Sequence, residues 1–259
     1  MYTAQQYVKA ESLQQAWELN QKRSTTLLAG GCWLRMTRRR IGTLVDLSGL
    51  GLDTIEETPD EFVLGAMVTL RQLEQHVQLN QVFDGLFKEM TRHIVGVQFR
   101  NCATLGGSIA ARFGFSDLLC ALLALDCEVE LVAAGRISLE DYAAMPYDRD
   151  VLARIYVKKN GRRPVYQTLR NAQTDLPVLA VAASVLQDQV RVVVGARPAR
   201  AKIVQAPLSL QANKAQLDEF CTAMQSELTF AGNMRGSEQY RRHLANVLTG
   251  RCLAALQEG

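Results

Sequence analysis

Two glycine pairs are the residues best suited to chemistry in this chain. Gly30-Gly31 ends the apolar run in "LLAGGCWLRMTRRR", and Gly106-Gly107 stands in "RNCATLGGSIA". Glycine permits the dihedral angles and the close approach that a phosphate needs when converging backbone amides bind it. Neither pair belongs to a G-x-G-x-x-G or a G-x-x-x-x-G-K-[ST] motif. From the residues alone, each pair predicts either a phosphate-binding loop or a plain tight turn, and the plain turn is the commoner outcome.

The composition is that of an ordinary globular chain. Its 259 residues are 48% hydrophobic and 21% charged, which suffices for a sizeable core. The net charge of +3 is too small to indicate nucleic-acid binding. The strongest apolar run, residues 118–125, is too short to span a membrane. The N-terminus lacks a basic region followed by an apolar stretch, so we expect no secretory signal and a cytoplasmic location.

The cysteines and histidines predict neither a metal site nor a triad. The six cysteines form no Cys-x-x-Cys pair, and none has a histidine at zinc-finger spacing. Cys120 and Cys127 stand in apolar stretches, where a free cysteine behaves as a small hydrophobic residue. His76, His93 and His243 share no common register. We therefore expect reduced thiols, no metal and no iron–sulfur cluster held by this chain.

Strand and helix patterns alternate and predict an α+β fold. Ser12 and Gln15 form a capping-box pattern that begins a helix over about 12–22. Ser116 and Asp117 begin the helix "LLCALLALD", which is apolar on all sides and therefore buried. The second glycine pair falls in a predicted polar turn, "FRNCATLGGS", after a helix in "GLFKEMTRHI". Further strands are expected in "TTLLAGG", "TLVDLS" (43–48), "EFVLGAMVTL" (61–70) and "CEVELV" (127–132), with short helices after Arg71 and in "ISLEDYAAM".

The character of the chain changes after about residue 159, where the turn-rich "NGRRP" predicts a boundary. Beyond it, "VLAVAASVL" and "VRVVVGA" predict a hairpin, and the C-terminal third predicts two helices. In the last helix, Tyr240, Leu244 and Val247 have core spacing. This spacing predicts that Arg241 and Arg242 lie in solvent or at an interface.

Several stretches together resemble one protein family, whose pattern runs A-G-G-T-D-L, L-I-D-L, I-G-A-x-V-T, R-N-x-A-T-L-G-G-N-[IL]-A and S-D-L-x-P-A-L-L-A-L. The chain has counterparts in the same order: "LLAGGCWL" (27–34), "LVDLSGLGLDTIEE" (44–57), "LGAMVTLRQLE" (64–74) and "QFRNCATLGGSIAARFGFSDLLCALLALDCEVEL" (98–131). Near the C-terminus, "LRNAQTDLPVLAVAASV" and "MRGSEQYRRHLANVLTGRCL" resemble the family's small last domain. Over nearly its whole length the chain is similar to the FAD-binding (medium) subunit of the molybdenum hydroxylases, the group of xanthine dehydrogenase and carbon monoxide dehydrogenase.

The resemblance implies a fold of the PCMH or vanillyl-alcohol-oxidase type. An FAD-binding domain over 1–160, with subdomains of about 1–55 and 56–160, holds FAD extended, and a C-terminal flavoprotein domain over 161–259 closes over its flavin end. The diphosphate is expected between the two glycine loops, near the amides of the first and the hydroxyls of the second. The cofactor-binding residues implied are Ala29, Gly30, Gly31, Cys32, Trp33, Leu34, Asn101, Thr104, Leu105, Gly106, Gly107, Ser108 and Asp117.

Individual residues also have simpler interpretations. Asn101 is expected to brace the second loop, and Thr104 and Ser108 to donate to phosphate oxygens, but both hydroxyls also suit turn residues that satisfy local backbone. Asp117 is expected to accept from a ribose hydroxyl, or only to favour a helix dipole by about 0.3–1 kcal/mol. The arginines after the first loop are either solvated, a further diphosphate contact for which Arg35 is best placed, or a docking surface for an acidic partner. They are Arg35, Arg38, Arg39 and Arg40.

The chain departs from the family pattern at several of these positions. Cys32-Trp33 replaces the usual Thr-Asp, and a thiol is a weak donor. If the lost hydroxyl matters, FAD affinity falls by the roughly 0.5–1.5 kcal/mol of one net hydrogen bond. Ser108 replaces the usual Asn, and Gln167 stands where some relatives have a lysine near the flavin.

The resemblance also implies the role of the chain. In the family, the molybdenum subunit oxidises the substrate, and iron–sulfur clusters on another chain pass electrons to FAD. We therefore expect no catalytic acid or base here, and we expect an iron–sulfur subunit and a molybdopterin-binding subunit as partners on separate chains. Two alternatives stay open: a free-standing flavoprotein oxidoreductase, and a non-enzymatic assembly subunit whose FAD site is degenerate.

Overall fold

Two units that interleave along the chain are each built around their own sheets. The computed structural model describes all 259 residues. Unit 1 comprises residues 1–73, 97–111 and 127–158, and unit 2 comprises 74–96, 112–126 and 159–259. No helix combines the length and the apolar composition that crossing a membrane requires. The division at residue 160 stays a prediction.

Strands and helices alternate in the chain, which is therefore α+β as expected. The strands are β1 (Thr3–Lys9), β2 (Thr25–Leu28), β3 (Arg40–Asp46), β4 (Ile55–Glu57), β5 (Glu61–Gly65), β6 (Cys127–Leu131), β7 (Gly135–Ser138), β8 (Leu152–Lys158), β9 (Arg163–Leu169), β10 (Leu179–Leu186), β11 (Gln189–Gly195) and β12 (Lys202–Ile203). The helices are α1 (Leu13–Asn20), α2 (Leu70–Gln75), α3 (Val77–Val82), α4 (Leu86–Thr91), α5 (Val97–Arg100), α6 (Leu105–Ala110), α7 (Asp117–Leu123), α8 (Leu139–Ala144), α9 (Lys214–Glu227) and α10 (Glu238–Glu258). A 3₁₀ turn covers Leu34–Met36.

Unit 1 holds one parallel and one antiparallel sheet. In the first, β1 and β2 both pair in parallel with β3, so the order is β1-β3-β2. The second is antiparallel throughout, with the order β4-β5-β8-β6-β7. Helix α1 connects β1 to β2 and begins where the Ser12 hydroxyl accepts from the Gln15 amide at 3.1 Å, as predicted. Its Ala16 packs into a small core with Val45 and Leu47.

Unit 2 is built on the antiparallel sheet β12-β11-β10-β9. Helices α7 and α10 both pack on it, so seven of the eight residues of β10 are buried. Leu179, Val181 and the residues that follow on the same face join the core formed with α9 and α10. On the other face, Ser184 donates to the Ala124 carbonyl at the end of α7. The predicted hairpin and both C-terminal helices are therefore confirmed.

The second glycine pair does not lie in the polar turn that its sequence predicts. Gly106 and Gly107 belong to the first turn of α6, and the turn itself is limited to residues 101–104. The Thr104 side chain caps this helix by accepting from the Gly107 amide at 3.2 Å. The helix forms despite two glycines because tertiary packing overrides weak local propensity.

The buried face of α10 also differs from the predicted one. Tyr240 is 44% exposed and Val247 is half-buried, whereas Arg241 is only 1% exposed. The prediction that Arg241 lies in solvent or at an interface is therefore wrong. A pattern of residue types assigns arginine to the surface, because a buried guanidinium needs several acceptors. Here the loop before α10 and the distant Val178 carbonyl provide them. Arg242 is half-buried, and Leu244 is buried as expected.

The Asp126 carboxylate ties three side chains of unit 2 together. It accepts from Asn160 Nδ2 at 2.6 Å and from Arg162 Nε at 2.9 Å, and it pairs with Arg191 Nη2 at 2.8 Å. Burial by itself would raise the pKa of this carboxyl, but these partners together lower its pKa from 3.8 to about 2.

We expect Asp126→Asn to lower the free energy of unfolding at pH 7 by roughly 1 kcal/mol, since partial exposure to water screens the pairs. A carboxyl whose pKa is lower in the folded chain than in the unfolded chain stabilises the fold fully at pH values above its unfolded-state pKa. This stabilisation is lost as the pH falls through its folded-state pKa. The difference between the two proteins should therefore shrink between about pH 4 and pH 2. Urea unfolding at several pH values measures it, with the exposed Asp60→Asn as control. A difference that does not change with pH would contradict this account.

Candidate functional site

The first glycine loop runs from Ala29 to Met36, between β2 and β3. Gly31 has a φ of +68°, in the left-handed region that residues with a side chain adopt only with strain. The Arg35 amide donates to the Gly31 carbonyl at 3.0 Å, and the 3₁₀ turn that follows is closed by the bond from the Met36 amide to the Trp33 carbonyl at 3.1 Å. Gly31 therefore turns the chain sharply back on itself.

Several backbone amides of the first loop have no hydrogen-bond acceptor within the chain. The amides of Gly30, Gly31, Cys32 and Leu34 donate to no acceptor of the chain, and all four residues are half-buried. A backbone donor that is partly shielded from water needs an acceptor, and successive amides in a turn form a concavity suited to an anion. The loop can thus bind an anionic group.

The second loop differs, since its amides are already occupied. The amides of Leu105 and Gly106 donate to the carbonyls of Val68 and Ala66, each at 2.8 Å. The Gly107 amide donates to Thr104 Oγ1. The second glycine pair therefore does not present converging free amides.

The two hydroxyls of the second loop make local contacts. Ser108 Oγ donates to the Thr104 carbonyl at 2.9 Å. Thr104 Oγ1 acts only as an acceptor within the chain, toward the Gly107 amide, so its own proton is available to a further acceptor. Of the two, Thr104 keeps a donor, although its side chain is largely buried.

Glycines let the two loops touch. A Cβ on Gly30 would overlap the carbonyl oxygen of Cys102, and a Cβ on Gly107 would lie 4.0 Å from the Cβ of Ala29. A Cβ on Gly106 would lie 2.7 Å from the carbonyl oxygen of Ala66. Gly30 is therefore required for the second loop to pack directly against the first, and Gly106 is required for α6 to pack against Ala66.

The other predicted residues of these loops differ in how far they are exposed to solvent. Leu105 is fully buried in the core, Asn101 is exposed, and Trp33 is 44% exposed. Cys32 directs its thiol to the Gly30 carbonyl at 3.7 Å, and burial raises the pKa of this thiol. Arg35, Arg38, Arg39 and Arg40 are all exposed.

Asp117 lies in unit 2, buried at the start of α7. Its Oδ1 accepts from the Tyr166 hydroxyl and from Arg170 Nη2. Burial raises the pKa of both the Asp117 carboxyl and the Tyr166 hydroxyl. One carboxylate oxygen of Asp117 is therefore engaged within the chain, and the contact of Asp117 with a ribose hydroxyl stays a prediction. Gln167 is half-buried on β9, opposite Val181.

Sequence reasoning did not identify Tyr166 and Arg170 as partners of Asp117. Both come from β9 and the residue after it, a segment between the turn-rich "NGRRP" and the predicted hairpin for which no strand was predicted. The β-branched and aromatic residues Val165, Tyr166 and Thr168 were the available signal. Residues of these types are enriched in strands.

Comparisons with known proteins agree with this architecture. The family model described as the FAD binding domain in molybdopterin dehydrogenase matches residues 3–157. The model described as the CO dehydrogenase flavoprotein C-terminal domain matches residues 164–256.

Individual relatives and structures match over almost their full length. YgfM of Escherichia coli strain K12 is 28% identical, covering 98% of this chain and 97% of the relative. The glyceraldehyde dehydrogenase medium chain of Sulfolobus acidocaldarius is 25% identical, covering 94% and 95%. A structure of carbon monoxide dehydrogenase from Hydrogenophaga pseudoflava that lacks the Mo-pyranopterin moiety has a TM-score of 0.89 at 22% identity, covering 99% and 98%, which shows a shared fold.

These matches confirm the family resemblance, the FAD-binding fold with its C-terminal domain, and FAD as the cofactor. The two matched models together account for most of the chain, in the order that the motifs predicted. The chain belongs to the family of FAD-binding medium subunits of the molybdenum hydroxylases.

Proposed function

We propose that this chain carries FAD within a multi-subunit molybdenum hydroxylase and passes electrons that arrive from iron–sulfur clusters on another chain to a final acceptor. The observation that carries the proposal is the first glycine loop, whose amides at Gly30, Gly31, Cys32 and Leu34 have no acceptor in the chain. When bound, FAD supplies an isoalloxazine ring that exchanges electrons singly or in pairs.

The residues present fit the diphosphate of FAD. Four unpaired amides offer hydrogen bonds to phosphate oxygens, and such charge-assisted bonds are about twice as strong as neutral ones. The absence of a Cβ at Gly30 lets the second loop close against the first, which brings the free proton of Thr104 to the same part of unit 1. Because backbone amides provide most of the donors, the replacement of Thr-Asp by Cys32-Trp33 leaves the main binding groups in place.

The proposed roles of the remaining residues follow from their positions. Gly31 shapes the turn, and Gly106 seats α6 against Ala66. Arg35, whose Nε lies 4.0 Å from the Cβ position of Gly31, is proposed to supply positive charge beside the diphosphate. Asp117 is proposed to accept from a ribose hydroxyl through its second oxygen. No residue of the chain is proposed to act as a general acid or base.

The proposed partners are an iron–sulfur subunit and a molybdopterin-binding subunit on separate chains. Support comes from the Sulfolobus relative, whose name describes the medium chain of a dehydrogenase. The exposed arginines that follow the first loop suit an acidic partner surface. No ion pair within the chain neutralises them; they are Arg38, Arg39 and Arg40.

Purification of the tagged full-length chain from its own host tests the proposal. We expect a yellow complex that contains flavin, iron and molybdenum together, measured by visible absorption and by mass spectrometry of the metals. A yellow chain that elutes alone and is reduced rapidly by a small donor would instead identify a free-standing oxidoreductase. A colourless chain that does not take up added FAD would identify an assembly subunit with a degenerate site.

A further inference from the structure

We propose that Cys32 and Cys102 form a pair of thiols that a hydroperoxide oxidises to a disulfide, covalently joining the two glycine loops. The proposal rests on the geometry of the loops in unit 1 and does not depend on FAD binding. The bridge would fix the loop that carries the unpaired amides.

Both cysteines are held against the same residue. The Cys32 thiol is directed to the Gly30 carbonyl, with Sγ at 3.7 Å from the oxygen. The Cys102 carbonyl occupies the position that a Cβ of Gly30 would take. One glycine therefore holds the two cysteines together although they are far apart in the chain. A disulfide requires Cα atoms about 4.4–6.8 Å apart. Two cysteines that both contact one glycine can have their Cα atoms at such a separation.

The electrostatics of the two thiols agree with this proximity. The pKa of the Cys32 thiol is raised mainly by burial and next by the negative charge of the Cys102 thiolate. An effect of one thiolate on another is appreciable only at short range. Cys102 is exposed and Cys32 is half-buried, so a small oxidant reaches Cys102 first.

The other four cysteines are shielded from the same reaction. Cys120, Cys127, Cys221 and Cys252 are all buried. Burial raises the pKa of Cys120 to about 12 and raises that of Cys221 and Cys252 as well. Since the thiolate is the reactive form, these thiols should be inert in the folded chain.

The chemistry balances in two steps. The Cys102 thiolate attacks an oxygen of hydrogen peroxide, the O–O bond breaks, and a sulfenic acid and one water form. The Cys32 sulfur then attacks the sulfenic sulfur, an S–S bond forms, and a second water leaves. Overall, two thiols and one peroxide give one disulfide and two waters.

Mass spectrometry of the full-length chain tests the proposal. The folded protein is treated with a small excess of hydrogen peroxide, then quenched, unfolded and alkylated without a reductant. We expect the number of free thiols to fall from six to four, with a mass loss of two hydrogens. A tryptic digest should then link the peptide of residues 24–35 to the peptide of residues 101–112.

Variants separate this pair from other outcomes. Cys32→Ser should abolish the linked peptide and leave Cys102 as a sulfenic acid that dimedone labels. The matched control Cys127→Ser removes a buried thiol and should leave the linked peptide unchanged. The proposal is overturned if wild-type Cys102 gains oxygen without forming the linked peptide, if a different pair is linked, or if the disulfide joins two chains.

Discussion

Replacing Gly30 with alanine is expected to weaken FAD binding at least about tenfold and to lower the free energy of unfolding by about 1–3 kcal/mol. The new Cβ would overlap the carbonyl oxygen of Cys102, and a backbone atom in a packed loop cannot rotate away as a side chain can. The first loop must therefore move off the second. Displacing its amides costs at least one or two charge-assisted hydrogen bonds, each about 1.5–3 kcal/mol.

Fluorescence titration of the purified chain with FAD measures the affinity, and chemical unfolding without FAD measures the stability. Gly250→Ala is the matched control. Its Cβ would meet only Leu217, at 3.6 Å, in the middle of α10. This control should bind FAD normally and gain up to about 1 kcal/mol from helix propensity. A Gly30→Ala protein with wild-type affinity would show that the contact between the loops does not shape the FAD site.

The second large effect is expected from Arg241→Met, which should lower the free energy of unfolding by about 1–3 kcal/mol. The guanidinium donates from Nε to the Val178 carbonyl at 2.8 Å and from Nη1 to the carbonyls of Ala231 and Gly236 at 2.7 and 2.9 Å. Nη2 donates to Asn233 Oδ1 at 2.7 Å. Methionine fills similar space but leaves the carbonyls of Val178, which is buried, and Ala231 without this donor. The Gly236 carbonyl and Asn233 Oδ1 still accept from the amides of Asn233 and Arg235.

Arg242→Met, one position along the same helix, is the control for this prediction. Arg242 is half-buried and pairs with Glu238 at 3.0 Å, so its loss should cost less than about 1 kcal/mol. Thermal and chemical unfolding followed by circular dichroism compare the three proteins. Equal stability of the two variants would mean that water replaces the buried guanidinium at little cost.

The elements that the sequence predicted well are those whose signals are local. The capping serine and the apolar run after it predicted α7, and a polar break between two apolar runs predicted the hairpin of β10 and β11. Strand β1 was not predicted, because its first five residues are all exposed and its sequence therefore lacks the apolar alternation of a half-buried strand. Its conformation comes from pairing with β3, more than thirty positions away, and no local pattern encodes such a partner.

The candidate site shows the same division between local and distant information. The motifs around Gly30 and Gly106 identified the family and FAD without any coordinates, because a motif is a contiguous run of residues. The free amides of one loop and the occupied amides of the other could not be predicted, since the acceptors of Leu105 and Gly106 are carbonyls at Val68 and Ala66.

Residue types and spacing alone thus specified the fold class and the positions of the two glycine pairs, and the resemblance to the family added the cofactor. Only the tertiary structure decided what individual residues do there. It showed that Gly106 serves packing, that Asp117 contacts Tyr166 and Arg170, that Arg241 is buried, and that Cys32 and Cys102 adjoin one glycine. Each of these properties depends on which other groups accept a hydrogen bond, pair with a charge or fill the adjacent space. Only folding brings those groups together.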